Sequence, residues 1–128
     1  MNVWQIETAI KPGLADPAGR AILADAHEAG FSSLTDVRVV RVFFLQADFD
    51  RASAEKVAAN LFTDPVTDFW TIGEPASKKL EGAWNAITIT RKPGVMDPVE
   101  ESSLKALRDL GLHPRAVRTG RKILYAGD

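Results

Sequence analysis

A seven-residue segment that occurs twice constrains this chain more than any other feature. Lys11-Pro12-Gly13-Leu14-Ala15-Asp16-Pro17 returns as Lys92-Pro93-Gly94-Val95-Met96-Asp97-Pro98, with five of seven positions identical and an offset of 81 residues. The same offset carries Leu23 onto Leu104 and Gly30 onto Gly111. One residue shorter, it carries Val37-Arg38-Val39-Val40-Arg41 onto Val117-Arg118-Thr119-Gly120-Arg121. The repeat therefore spans a whole structural unit, and 128 residues suit either one domain or two very small units sharing a core.

Each copy reads as strands alternating with helices. In the first, Trp4, Ile6, Thr8 and Ile10 alternate with Val3, Gln5, Glu7 and Ala9, which predicts a strand over residues 2–10 with one better-buried face. Lys11-Pro12-Gly13 ends it, because Pro lacks a ladder donor and Gly accepts a positive φ. Asp16 is placed to cap a helix whose first residue is Pro17, and Gly30 suits the left-handed residue that follows a helix over Pro17–Ala29. Residues 36–49 form a long strand with Val37, Val39, Phe43, Leu45 and Phe49 on one face and Val40, Val42 and Phe44 on the other. Both faces are apolar, so the second is expected to meet another sheet or another subunit. A helix capped by Asp50 then runs to about Phe62, and Val66 to Ile72 is a third strand.

Residues 73–82 carry Pro75, Ser77, Lys78 and Lys79 without an apolar stripe and read as a connector. The second copy supplies a strand at 84–91, a helix at 98–110 and a strand at 116–126. Asp97 caps that helix with Glu100 three residues on, and Leu104, Leu107 and Leu110 give it a buried stripe. Asp128 falls on the position of Asp48, so this copy reads as β-α-β against β-α-β-α-β for the first. The expected fold class is α+β: two tandem ferredoxin-related units with helices on one face of two-layer sheets, divided as 1–74, a linker at 75–83, and 84–128.

Composition removes several function classes. A hydrophobic fraction of 45% with 26% charged residues describes a globular chain, and a net charge of −1 gives no electrostatic footprint for nucleic acid or anionic lipid. No apolar run reaches the roughly 18–20 residues of a membrane span, and no leader pattern opens the chain, so it is expected in the cytoplasm. With no cysteine there is neither a disulfide nor a thiolate, which leaves His27 and His113 for imidazole chemistry. His27 lies near a helix C-terminus and His113 beside Pro114 in a loop, and neither has metal-ligand spacing. No phosphate loop, dinucleotide fingerprint or nucleophile elbow occurs; Gly120-Arg121-Lys122 lacks the loop glycine before it. No catalytic residue, cofactor site or metal site is expected.

The Lys-Pro-Gly-x-x-Asp-Pro turn, the helix ending in Ala29-Gly30-Phe31 and the strand opening Asp36-Val37-Arg38-Val39 together resemble the PurS family, over residues 3–74 in full and 84–128 in part. The resemblance implies a small subunit of formylglycinamide ribonucleotide amidotransferase that pairs with itself and bridges the PurL synthetase and the PurQ glutaminase without doing chemistry of its own. The parent reaction takes ammonia from glutamine and uses ATP to activate the amide. The tandem arrangement with a shortened second copy departs from that pattern, and suggests the N-terminal piece of a longer PurL or a free-standing tandem.

The residues singled out fall into two groups. Pro12, Gly13, Asp16, Pro17 and Gly30, with Pro93, Gly94, Asp97, Pro98 and Gly111, are assigned to turns and caps, in preference to paired catalytic carboxylates for the two aspartates. Lys11, Lys92, Arg38, Arg41, Arg118 and Arg121, together with Val40, Val42 and Phe44, are assigned to a partner interface, where arginine forks carboxylates. Trp4, Trp70 and Trp84 are expected to pack in the core or between repeats. The second copy's uncovered surface predicts a two-fold homodimer, and Val40, Val42 and Phe44 are expected to meet Leu124 and Ala126 within the chain. Two other readings compete. One is a ferredoxin-like regulatory domain with a small-molecule pocket of convergent polar groups. The other is a single-strand nucleic-acid binder stacking bases on Phe43 and Phe44, which the charge and their opposite faces disfavour.

Overall fold

The structure, a computed structural model, describes residues 2–90 and 97–127. Strands β1 (Asn2–Ile10), β2 (Leu34–Ala47), β3 (Asp68–Ile72), β4 (Asn85–Thr90) and β5 (Ala116–Gly127) alternate with helices α1 (Pro17–Glu28), α2 (Arg51–Asn60) and α3 (Pro98–Asp109). The class is α+β, and the strands of both copies lie in one antiparallel sheet of order β3-β1-β2-β5-β4. Element ends differ from the sequence reading by one or two residues, as frayed termini do.

The central ladder joins the copies. β2 pairs with β5 from Leu34↔Gly127 to Gln46↔Ala116, and within it Arg41 lies opposite Arg121, its own repeat counterpart. Arg38 pairs with Leu124 and Phe44 with Arg118, which are the same pair exchanged between copies. An internal two-fold axis therefore passes between Arg41 and Arg121. Leu124 does join Val40 and Val42, as expected, but sideways within one sheet rather than face to face.

All three helices lie on one face. Ile6, Phe43, Leu45, Ile72 and Val117 project there and are closed by Ala54, Val57 and Ala58 of α2 and Leu107 of α3, with Phe62 stacked on Phe43 at 4.0 Å between ring centres. Asp50 caps α2 by accepting from Ser53 N at 2.9 Å, and that backbone N–H holds its carboxyl below the usual carboxylate range. Gly13, Gly30 and Gly111 take the positive φ expected of them. Gly19 has a different reason: a Cβ there would lie 2.1 Å from the Val37 carbonyl oxygen, so α1 rests on β2 backbone to backbone.

The opposite face corrects the sequence reading. Val40 and Val42 are fully buried, but neither another sheet nor another subunit covers them. The connector does. Residues Ala76–Lys79 form a single 3₁₀ turn, and Ala76 and Leu80 join Ala9, Val40, Val42 and Leu124 in a second core against which Phe44, Phe69 and Trp84 pack. Two apolar residues four apart, among one proline and two lysines, lack a periodicity that can be counted, so the sequence does not show the stripe. Burial of Leu80 predicts that Leu80→Ala costs about 2–4 kcal/mol in urea unfolding; a loss below about 1 kcal/mol would show that the connector does not seal this face.

Candidate functional site

The residues singled out from sequence converge where the copies meet. Asp16 caps α1 through Gly19 N at 3.1 Å, and its second oxygen accepts from Val39 N on β2 at 2.8 Å. The cap is therefore also a tether between helix and sheet. The second copy solves the same problem with different groups. Asp97 accepts from Val99 N at 3.0 Å and from the Thr119 hydroxyl, while Glu100, at the repeat position of Gly19, accepts from Thr119 N at 3.0 Å. Both aspartates are buried and engaged, as capping requires, and their repeat-related strand partners Val39 and Thr119 occupy equivalent positions.

The two axial arginines share the helix-bearing face but not a fate. Arg41 donates to Asp68 of β3 at 2.8 Å, crossing Thr8 on β1, whereas Arg121 is exposed and forms no ion pair among the described residues. A pocket of ≈ 560 Å³ lies between them, lined also by Ile89, Val99 and Thr119. Like charges directly opposite on a ladder repel, and the Asp68 carboxylate draws one of the two away.

The other candidates distribute as follows. Lys11 donates to the Pro65 carbonyl at 2.9 Å and so pins the approach to β3. Arg38 and Arg118 lie on the connector-bearing face, half-buried and exposed respectively, with Phe44 half-buried between the strands' other contacts. Val40 and Val42 are core residues and offer a partner nothing, because the connector closes over them. Lys92, Pro93 and Gly94 lie outside the described residues. His27 is exposed and contacts the Leu34 carbonyl at 2.8 Å, bridging α1 to the start of β2 rather than to its own helix end.

Sequence reasoning missed the main polar contact between the copies. Glu7 is 2% exposed on the connector-bearing face, where one oxygen accepts from Ala76 N at 3.0 Å. The other accepts from Gln5 Nε2 at 2.9 Å and from Lys122 Nζ at 2.6 Å. One carboxylate thus ties β1 to the connector and to β5. A glutamate alternating with apolar residues reads as solvent-facing, and its cation is 115 residues away.

The fold and this junction define a class: a small α+β assembly of two ferredoxin-like halves joined about an internal two-fold axis. The family model described as "PurS: Phosphoribosylformylglycinamidine (FGAM) synthase" matches residues 3–73. The chain belongs to the PurS family, and with it to FGAM synthase and purine biosynthesis. Among solved structures, PurS of B. subtilis in its C2 crystal form is similar, with a TM-score of 0.53 and 17% identity over 56% of this chain and 95% of that one. At that identity the likeness shows the fold. No curated protein matches. No group of three or more metal-ligating side chains occurs among the described residues, and none of their helices is long and apolar enough to cross a membrane.

Two substitutions test this construction. Asp16→Ala strips the acceptor from two backbone donors, so it is expected to cost about 2–3 kcal/mol, above the roughly 1 kcal/mol of a simple cap. Asp50→Ala, which loses only the Ser53 bond, is expected to cost less in the same chemical-denaturation series. Lys122→Met leaves Glu7 buried without its cation and is expected to destabilise by about 3 kcal/mol. Adding Glu7→Gln should recover part of that loss; a double variant no better than the single one refutes the pair's role.

Proposed function

We propose that this chain is a non-catalytic assembly module of FGAM synthase that holds the PurL synthetase against the PurQ glutaminase in the cytoplasm. The observation that carries the reading is the Arg41–Arg121 axis. Two related units joined about a two-fold present two related outer surfaces, which is the geometry a bridge between two enzymes needs. The sequence division into units at 1–74 and 84–128 with a linker at 75–83 is kept, with the linker acting as a cover. Candidate contacts for the partners are the exposed Arg121 on the helix-bearing face and, on the connector-bearing face, the exposed Arg118 opposite Phe44, with Arg38 farther along β2.

The competing small-molecule reading finds its pocket between Arg41 and Arg121, but two of its charged groups are already engaged: Arg41 with Asp68, and Asp97 with the Val99 amide and the Thr119 hydroxyl. Of the contacts proposed for assembly only Arg121 lies at this pocket, and using it displaces neither bond.

Reconstitution tests it. Mixed with separate synthetase and glutaminase, the chain is expected to restore glutamine-dependent amidine formation and to co-elute with both. By itself it is expected to hydrolyse neither glutamine nor ATP. Turnover by the isolated chain, abolished by one substitution in it, overturns the reading. The isolated chain is also expected to self-associate as a two-fold dimer, since β4 leaves an unpaired edge. Light scattering that gives a concentration-independent monomer at tens of micromolar rejects the dimer.

A further inference from the structure

The internal two-fold makes the two ends of the sheet equivalent, yet they are covered unequally. At the first end Ile6 pairs with Phe43 and Thr8 with Arg41; at the second, Ile87 pairs with Ile123 and Ile89 with Arg121, the same positions moved by the repeat. Beyond β1 lie β3, pairing Ile72 with Ile6 and Trp70 with Thr8, and α2 above. Among the described residues nothing occupies that place beside β4. Ile6 and Thr8 are 0% exposed, whereas Ile87 and Ile89 are 52% and 42% exposed. Leu107 of α3 is sealed in the cluster that α2 closes, while its counterpart Ala26 on α1 is only half-buried. Arg41 reaches Asp68 across Thr8, and Arg121 faces Ile89 with no ion pair across it among the described residues.

The edge itself is built to receive a strand. Asn85-Ala86-Ile87-Thr88-Ile89-Thr90 carries no charge and no proline, keeps an unbroken register with β5, and is exposed throughout. Soluble proteins guard such edges with lysines, prolines or bulges, and none of these is present here.

We infer that β4 is the docking edge for a helix–strand unit of a partner polypeptide. Its strand pairs antiparallel with Asn85–Thr90, its carboxylate meets Arg121 as Asp68 meets Arg41, and its helix covers Ile87 with small apolar residues such as those of α2. Charge selects this occupant over a second copy: a second β4 would bring isoleucines but no acid to Arg121. A dimer of the isolated chain through this edge would pair its backbone without supplying that acid. That the unit comes from the synthase assembly rests on the function proposed above; the shape and charge of the site do not.

The test extends the full chain after Asp128, the repeat position of Asp48, with a second copy of residues 49–73, and follows amide hydrogen exchange and light scattering. The outward amides of Asn85–Thr90 are expected to exchange about tenfold or more slowly, and the extended chain to be monomeric. Arg121→Met, or Asp→Asn at the appended counterpart of Asp68, is expected to reverse most of the protection, and the two together to do no more than either. Unchanged exchange in β4 overturns the inference. So does protection indifferent to Arg121, or protection that grows with protein concentration, which would assign the edge to a second copy. Because neither synthetase nor glutaminase is present, a failed extension leaves the assembly reading intact, and a failed reconstitution leaves this result standing.

Discussion

The antiparallel pairing of β2 with β5 is the interaction on which the rest of the molecule depends. It merges two units into one sheet, and it sets Arg41 against Arg121 at the axis. Several features answer to that choice. Gly120 lies where a Cβ would come within 2.9 Å of the Ile89 carbonyl oxygen, and Gly127 where one would come within 2.3 Å of the Ser33 carbonyl, so β5 carries glycine at two points of close backbone approach. The central strands are buried on both faces, which explains why β2 is apolar on both and why a cover beyond the helices is required.

The aspartate that opens the helix after the repeated segment caps it in both copies, but the tie to the strand differs in mechanism. In the first, Gly19 lets α1 sit against the Val37 carbonyl and leaves Asp16 to hold the strand amide directly. In the second, Glu100 stands at the glycine position and takes the strand amide, and Asp97 shifts to the hydroxyl of Thr119. A buried Asp97 and a half-buried Glu100 in one copy do the work of one acid and a missing side chain in the other. The cost of burying each is offset by the donors it satisfies.

Much of this was legible in the residues themselves. The repeat, the period-two strands, the opposite facing of Phe43 and Phe44, and the Asp-Pro helix starts all follow from local chemistry that three to ten residues can express. What escaped depends on distance. Glu7 reads as solvent-facing until Lys122 and Ala76 are brought to it, and residues 73–82 read as a bare linker until Val40 and Val42 need a lid. The division of labour between Arg41 and Arg121 was equally hidden, since it turns on Asp68, two strands from Arg41.

Joining the two units in one chain also frees them from identity. The repeat counterparts of Glu7 and Lys122 are Thr88 and Val42, so the buried ion pair exists on one side of the axis and an apolar or hydroxyl position on the other. A pairing of two identical chains would have to place both contacts twice, whereas a tandem needs each only once. The connector exploits that freedom, lying over one half of the sheet and bonding to Glu7 there. Covalent linkage raises the effective concentration of one unit at the other to a level that holds the pairing closed, so positions on the axis can diverge without dissociation as the penalty. The outcome, among the described residues, is a sheet symmetric in its ladder and asymmetric in its ends, one sealed by β3 and α2 and the other open at β4.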